Sequence, residues 1–340
     1  MMLKQKRLLV ANLIAPLLIT LVFGTTSSAQ TPKTGRNGRR PPTPAARRAV
    51  VLTTDCGADM DDQWTLAQLA LAPELELRGV VTTHAPSLAA PAADTAARVS
   101  KEVFDHLPLK TRPPIIAGSS VPLTDKTRAL DNRGVQFLLE QSRIHSPARR
   151  LAVLVTGAAT DVASALLIEP HFADRVEIIA MGFEGWPVGD DPWNVKNDVR
   201  AWQVLLESRA PITVGDAAVT KRDLLIGRRQ AHELFAEHGL PGRYLADLHT
   251  AWLDKEAELC QKVTGSPDTW PVWDQVTVAY LLGLTRGKIY PRPALRDDMR
   301  FTHPARTEAT KRKAATITWI TAIQSDALWK HFKQVMSNKK

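Results

Sequence analysis

Residues 50–62 read Val50-Val51-Leu52-Thr53-Thr54-Asp55-Cys56-Gly57-Ala58-Asp59-Met60-Asp61-Asp62. The apolar and β-branched run at the start of this stretch predicts a buried strand, and a helical pattern begins at its end. Between them, four carboxylates fall within eight residues, where like charges repel one another. A bound hard cation is the simplest compensation, because Ca²⁺ and Mg²⁺ take oxygen ligands. The stretch therefore predicts a strand, an acidic turn that holds a metal ion, and a helix.

Short apolar runs alternate with helical patterns from residue 49 onward. Strands are predicted over Val50–Thr54, Leu77–Thr83, Pro114–Ala117, Leu151–Thr156, Val176–Met181 and Ile212–Val214, and helices near 62–72, 90–106, 133–143, 160–168 and 198–208. Repeated βα units predict an α/β fold with a mainly parallel, doubly wound sheet and helices on both faces. Such sheets bind ligands at the carboxyl ends of their strands, which is where the acidic turn would lie.

The second half of the chain adds three further predictions. Residues 220–262 are mostly helical in pattern and would form an insertion that covers the strand ends as a lid. A helix is expected at about 274–285, with Asp274 at its start. The end of the chain, Ala314–Ile323 and then Asp326–Met336, predicts a strand followed by a helix.

The N-terminus has the three parts of a secretory signal peptide. Basic residues precede the apolar run Leu8–Phe23, and small residues precede a cleavage point before Gln30. We therefore expect a signal peptide at 1–29, a disordered basic linker at 30–48, one folded domain at 49–340, and export to the periplasm or medium. An uncleaved anchor is the rival interpretation, disfavoured by the short apolar run. No membrane contact is expected after signal cleavage.

The formal charge of +9 does not indicate a nucleic-acid partner. The first 48 residues hold nine Lys and Arg and no Asp or Glu, which leaves 35 basic against 35 acidic residues in the rest of the chain. A neutral body offers no basic face to a polyanion. The two cysteines, Cys56 and Cys260, show no zinc-type spacing, and free thiols are favoured over a disulfide because Cys56 sits inside the acidic turn.

Three distant segments carry further polar residues at predicted strand or helix ends. Thr156-Gly157 ends a strand, Trp193-Asn194 precedes the helix at Asp198, and Trp273-Asp274 opens a helix. Together with the acidic turn, and in this order over about residues 49–285, they resemble the motifs of the inosine–uridine-preferring nucleoside hydrolase family. The turn differs from the family's Asp-x-Gly-x-Asp-Asp by two extra residues, which makes Asp59 a solvated turn residue without a family counterpart.

The resemblance implies a calcium-dependent hydrolase of N-glycosidic bonds in ribonucleosides or related ribosides, so the expected partner is a small-molecule nucleoside. By the same resemblance, Ca²⁺ would be held by Asp55, Asp62, Asp274 and the Thr156 carbonyl, and Asp55 would also be the general base for the attacking water. Asp61 and Asn194 would bind the ribose hydroxyls. The resemblance also makes residues 49–340 a nucleoside-hydrolase-like domain. Whether that domain forms a homo-oligomer is left open.

Two positions depart from the family pattern. Trp273 stands where many members carry the His that protonates the leaving base, so we expect it to stack on the aglycone instead. His84 follows the second strand where the family often has a nearby Asn, and it is a candidate for the missing polar contact with substrate. Pro192 replaces a frequent Glu. The metal and diol half of the predicted site is intact, and the base half is altered.

Two other classes of protein remain compatible with these residues. A binding protein could retain the calcium and diol pocket without turnover, an alternative favoured by the absent His. A metal-dependent phosphohydrolase also uses acidic strand-end loops, but it needs a cationic side chain facing a phosphate. Lys196 is the single basic residue in the four matched segments.

Overall fold

An eight-stranded sheet organises the computed structural model, which describes residues 47–191, 193–235, 237–304 and 315–337. The strands in chain order are β1 (Arg48–Thr54), β2 (Leu75–Thr82), β3 (Ile115–Ala117), β4 (Leu151–Val155), β5 (Val176–Met181), β6 (Ile212–Gly215), β7 (Leu225–Gly227), β8 (Thr269–Pro271), β9 (Thr285–Pro291), β10 (Ala294–Leu295), β11 (Phe301–Thr302) and β12 (Thr316–Ile323). Two short pairs, β7 with β8 and β10 with β11, lie outside the main sheet.

Helices connect most of these strands. They are α1 (Asp61–Leu71), α2 (Ala92–His106), α3 (Arg133–Ser142), α4 (Thr160–Ile168), α5 (Phe172–Arg175), α6 (Asn194–Asn197), α7 (Val199–Glu207), α8 (Ala217–Asp223), α9 (Arg228–Phe235), α10 (Gly239–Lys255), α11 (Ala257–Thr264), α12 (Gln275–Leu281) and α13 (Ser325–Ser337). All five predicted core helices are present, within two residues of their predicted ends.

The order of strands in the sheet is β3-β2-β1-β4-β5-β6-β12-β9, and every neighbouring pair is parallel except β12 with β9. The predicted α/β class with a mainly parallel sheet is therefore confirmed. The chain leaves β1 in one direction toward β2 and β3 and returns on the other side at β4. Sheets with this order open a crevice at the switch point beyond the carboxyl ends of the two central strands.

Both faces of the sheet are buried, as the alternation within β1 shows. Val50 and Leu52 point into the core on one face, while Ala49 and Val51 point into the core on the other. All four side chains are buried. A strand covered on both faces needs a continuous apolar run, and such a run is what the sequence of β1 provides.

The helices α9–α11, called the helical insertion (residues 228–264), are anchored to the first helix of the core. Trp64 of α1 is fully buried, and its indole nitrogen donates to the Leu245 carbonyl at 3.0 Å. Phe235 packs edge-on against the same indole, with ring centroids 4.7 Å apart. Burial of side chains of this size stabilises the docking by about 2–3 kcal/mol each.

Some sequence expectations were wrong in detail. The helix expected at 274–285 ends at Leu281, and the chain continues as the edge strand β9, which no pattern predicted because Thr285–Pro291 is mostly exposed and polar. The first helix begins at Asp61, one residue before its predicted start, and has no side-chain cap. The signal peptide and most of the linker lie outside the described residues. Within the described part of the chain, no helix is both long and apolar enough to cross a bilayer.

Candidate active site

The eight predicted site residues line one cavity of about 700 Å³ at the carboxyl ends of the strands. They are Asp55, Asp61, Asp62, His84, Thr156, Asn194, Trp273 and Asp274. The topological switch between β1 and β4 explains why segments more than 200 residues apart meet there.

The acidic turn closes directly after β1. The Ala58 amide donates to the Asp55 carbonyl at 2.9 Å, and Gly57, at the third position of this four-residue turn, has φ +98°. A side chain at this backbone conformation would be strained, so the position favours glycine. The chain then enters α1, which places Asp61 and Asp62 in its first turn.

Carboxylate oxygens from Asp61, Asp62 and Asp274 lie within 4.8 Å of one another. The two segments that supply them are tied through the side chain of Asp61, which accepts a hydrogen bond from a backbone amide of each. Asp61 Oδ2 accepts from the Asp274 amide at 3.0 Å, and Asp61 Oδ1 accepts from the Asp62 amide at 3.1 Å. Asp274 begins α12, yet its side chain does not cap that helix. Its Oδ2 is buried and has no hydrogen-bond partner among the described residues.

Two threonines fix the carboxylate of Asp62. Its Oδ1 accepts from the hydroxyl of Thr54, at the end of β1, and from the hydroxyl of Thr156, just after β4, at 3.0 Å. These contacts satisfy one oxygen of Asp62 and aim the group at the crevice between the two central strands. Threonine at both strand ends therefore serves to hold the Asp62 carboxylate in place.

Asp55 lies beside Gly157, on the same crevice. A Cβ placed on Gly157 would lie 2.8 Å from the carboxyl carbon of Asp55 and 2.8 Å from its amide nitrogen. No real Cβ tolerates such contacts, so glycine is required at position 157 for Asp55 to occupy its place. The structure thus puts Asp55 next to the cluster of three carboxylates, while its roles as metal ligand and base stay predictions.

Burial raises the pKa of each of the four aspartates in this crevice, and repulsion from neighbouring carboxylates adds to the shifts of Asp55, Asp61 and Asp274. Burial raises the pKa of Asp61 to about 8, and the charge of Asp62 adds to the effect. Burial also raises the pKa of Asp62 to about 6 and those of Asp55 and Asp274 well above their usual value. These groups therefore resist ionisation together unless a cation compensates. The orphaned Oδ2 of Asp274 and the all-oxygen donor set fit a hard divalent cation.

A loop held by one buried carboxylate presents Asn194. Asp191 accepts hydrogen bonds from the backbone amides of Phe183, Trp193 and Val195, at 3.0, 2.7 and 3.2 Å. From this loop, the Asn194 amide nitrogen donates to the carbonyls of Met181 at 3.2 Å and Thr156 at 3.4 Å. Asp191 is thus a positioning residue that the sequence reasoning missed, and its spacing of two before Trp193 was the available signal.

His84 is positioned by a short polar chain. Its Nε2 lies 3.0 Å from the Thr160 hydroxyl, and that hydroxyl donates to Asp198 Oδ2 at 2.7 Å. Because the hydroxyl has only one proton, His84 Nε2 must be the donor of the first bond. Burial lowers the pKa of His84, so the ring is neutral near pH 7 with Nδ1 as an acceptor. His84 lines the cavity, while its contact with substrate stays a prediction.

The far side of the cavity is a wall of three indoles, which we call the tryptophan wall: Trp252, Trp270 and Trp273. Trp273 was the indole expected to stack on the aglycone, and the structure adds Trp252 and Trp270 to the same wall of the cavity. The Trp270 indole nitrogen donates to Asp59 Oδ2 at 2.6 Å. Asp59 is therefore a half-buried wall residue, which corrects the expectation of a solvated turn.

Comparison with known proteins identifies this arrangement. The sequence profile of the inosine-uridine preferring nucleoside hydrolase family matches residues 50–330. A search of curated proteins finds no significant match. The family match alone covers all four segments that build the cavity.

Similar solved structures share the fold at low sequence identity. A plant nucleoside hydrolase is 14% identical, with a TM-score of 0.67 over 86% of this chain and 99% of that one. A purine-preferring ribonucleoside hydrolase from Gardnerella vaginalis is 18% identical, with a TM-score of 0.65 over 85% and 98%. A nucleoside hydrolase from Bacillus anthracis is 14% identical, with a TM-score of 0.61 over 86% and 99%. With the profile match over residues 50–330, the chain belongs to the inosine-uridine preferring nucleoside hydrolase family, and it is a hydrolase of N-glycosidic bonds.

Proposed function

We propose that this protein is a calcium-dependent hydrolase of ribonucleosides or related ribosides. The observation that carries the proposal is the convergence of Asp61, Asp62 and Asp274 within 4.8 Å at a strand-end crevice, with one Asp274 oxygen buried and without a partner among the described residues. Three carboxylates with no compensating cation in this geometry are costly, and a divalent ion with oxygen ligands removes the cost.

The residues around this cluster have complementary roles. Asp62 and Asp274 would hold the ion, and the Thr156 carbonyl, at the same crevice, would complete the protein ligands together with Asp55. When bound, Ca²⁺ would orient the ribose diol and lower the pKa of a coordinated water. Asp55 would accept the proton from the attacking water, because its carboxylate lines the same crevice as the proposed ion.

The sugar would lie between Asp61 and Asn194. Both side chains line the cavity beside the three-carboxylate cluster, so both are within reach of hydroxyls bound there. Cleavage of an N-glycosidic bond develops positive charge on the sugar ring, and the surrounding carboxylates stabilise that charge. His84 Nδ1 offers an acceptor for a further hydroxyl of the substrate.

The leaving group would lie against the tryptophan wall. Trp273 neighbours both the acidic cluster and Trp270, with the two ring centroids 5.7 Å apart. An indole contributes area and stacking but no acidic proton. We therefore expect turnover to favour leaving groups that depart without protonation.

A panel of substrates tests this proposal. The purified protein is assayed with several nucleosides, 4-nitrophenyl riboside and a generic phosphate ester, each with and without Ca²⁺. Riboside cleavage that needs Ca²⁺ supports the proposal. Tight nucleoside binding without cleavage supports the binding protein instead, the alternative favoured by the indole at position 273. Cleavage of the phosphate ester alone would support a phosphohydrolase.

The proposal extends to the setting of the reaction. The signal-peptide pattern at residues 1–29 supports export to the periplasm or medium, and the balanced charge of residues 49–340 supports a small-molecule partner without nucleic acid or membrane. Fractionation of cells that express the full chain tests the export: mature protein outside the cytoplasm, beginning near Gln30, is the expected result.

A further inference from the structure

The tryptophan wall joins three separate segments of the chain. Trp252 belongs to α10, Trp270 to β8, and Trp273 to the turn before α12. The Trp252 and Trp270 ring centroids are 5.6 Å apart at 53°, and those of Trp270 and Trp273 are 5.7 Å apart at 86°. All three indoles line the same cavity, with Trp270 buried and Trp252 and Trp273 half-buried. The negative face of an indole attracts a cation placed over it.

The cavity next to the wall is acidic on balance. Six carboxyl groups line it against two amines, those of Lys196 and Lys255, and one of the six, Asp59, accepts a hydrogen bond from Trp270. The one described cation that lies over these rings is Lys255, whose Nζ is 5.7 Å from the centroid of Trp252. Lys255 is mostly exposed and is paired with Glu256 at 3.0 Å. An indole of the wall thus already attracts a positive charge.

Among the described residues, His84 is the one histidine that lines the cavity, and its Nε2 is already bonded to Thr160. His249 comes from the same helix as Trp252, but it is fully buried against Trp64 and does not line the cavity. A neutral base leaves as an anion unless an acid protonates it. A cationic heteroaromatic ring needs no acid, since it leaves as a neutral molecule.

We propose that the preferred substrates are ribosides with a permanently cationic heteroaromatic aglycone, such as N-ribosyl pyridinium compounds. This inference rests on the proposed hydrolysis of ribosides and names its substrate class. In the reaction, the bond between C1′ and the ring nitrogen breaks, and its electron pair neutralises the ring. Water forms the new C1′–O bond and gives its proton to Asp55. The products are ribose, a neutral pyridine and one proton.

The first experiment compares N-ribosylnicotinamide with 4-nitrophenyl riboside and inosine in the presence of Ca²⁺. The nitrophenyl compound is activated but neutral, so it separates charge from leaving-group ability. We expect kcat/KM for the cation to exceed that of the nitrophenyl riboside by about tenfold, and that of inosine by more. Cleavage of the nitrophenyl riboside at an equal or higher kcat/KM overturns this inference and leaves the proposed function intact. If no riboside is cleaved, both fail.

The second experiment measures charge preference without turnover. 1-Methylnicotinamide, which is methylated on the ring nitrogen, differs from nicotinamide by one methyl group and one positive charge. The affinities of the protein for both compounds are measured by calorimetry. We expect the cation to bind about tenfold more tightly, and Trp252→Leu to remove that preference. Lys255→Met should strengthen binding of the cation, whereas Lys262→Met, at an exposed position of α11 away from the cavity, should not. Equal affinities for the two ligands in the unsubstituted protein overturn the inference.

Discussion

The backbone amide of Asp274 donates a hydrogen bond of 3.0 Å to Asp61 Oδ2, across 213 residues of chain. This bond fixes the start of α12 against the first turn of α1. Both helices thereby bring one carboxylate each to the crevice where Asp62 also lies. Asp61, a proposed contact for the sugar, therefore also sets the position of a proposed metal ligand.

The first prediction follows from that bond. Ca²⁺ at about 100 times its Kd would stabilise the native protein by about 2.7 kcal/mol, and a chelator would remove this gain. Asp61→Ala should lose most of the gain, while Asp61→Asn, which keeps an acceptor oxygen, should retain part of it. Thermal unfolding with chelator and with Ca²⁺ measures the effect. Asp94→Ala, an exposed acidic residue of α2, is the matched control. Equal shifts in all variants would contradict the assignment.

The stabilisation by Ca²⁺ should depend on pH. The pKa of Asp62 is about 6 and that of Asp61 about 8, both raised above the ordinary value of 3.8 mainly by burial. In the metal-free protein, these groups favour the fold when protonated, and that contribution is lost as pH rises through 6 and then 8. A cation needs the ionised forms, so its stabilising effect should grow over the same range. The shift in Tm should be larger at about pH 8.5 than at about pH 5.5, and the reverse order would contradict this account.

Asp55→Asn should reduce kcat for riboside cleavage by about 100-fold or more, because the amide cannot accept a proton from water. Substrate binding should weaken far less, since the amide keeps an oxygen and the volume next to Gly157. The comparison is kcat against the Kd of a riboside measured by calorimetry. Turnover at the parent rate would show that Asp55 is not the base.

Trp273 should determine which leaving groups are accepted. We expect kcat/KM for 4-nitrophenyl riboside to exceed that for inosine by about 100-fold, the usual contribution of a missing general acid. Trp273→Ala should weaken the binding of aromatic ligands by about tenfold. Trp273→His should reduce the ratio of kcat/KM between 4-nitrophenyl riboside and inosine. Equal kcat/KM values would mean that another acid acts on the base.

His249 should make the fold sensitive to acid. Burial lowers its pKa to about 4, below the ordinary value of 6.5. The unfolded chain therefore binds a proton first, and stability falls as pH decreases from about 6.5 toward about 4. At pH 5 the loss is about 2 kcal/mol. The free energy of unfolding is measured in urea at pH 7 and pH 5 for the parent and for His249→Leu. It should decrease less in the variant, by about these 2 kcal/mol. Identical pH dependence in parent and variant would contradict the burial argument.

Much of the fold could be predicted because its strands are buried on both faces. The run Val50–Thr54 has no polar interruption, and the two-sided core around β1 explains why. The strand β9 was missed because an exposed edge such as Thr285–Pro291 needs no apolar pattern. Local periodicity reports burial, so it reveals little about strands at the edge of a sheet.

The candidate site divides along similar lines. Asp61, Asp62 and Asp274 could be found because carboxylates at strand and helix ends carry their chemistry in their residue type. Asp59 and Trp270 could not, because their role arises from a hydrogen bond between segments 211 residues apart. The support that Asp191 gives to the loop of Asn194 could not be found either, because it depends on hydrogen bonds from three backbone amides.

The release of nitrophenolate from 4-nitrophenyl riboside tests the central claim most directly. Absorbance is followed in one sample of purified protein before chelator is added, after chelator, and after Ca²⁺ is restored in excess. We expect cleavage that stops with chelator and resumes with Ca²⁺, and ribose formed in equal amount. Cleavage that is indifferent to Ca²⁺ would contradict the proposed metal centre, and no cleavage in any state would contradict the proposed activity.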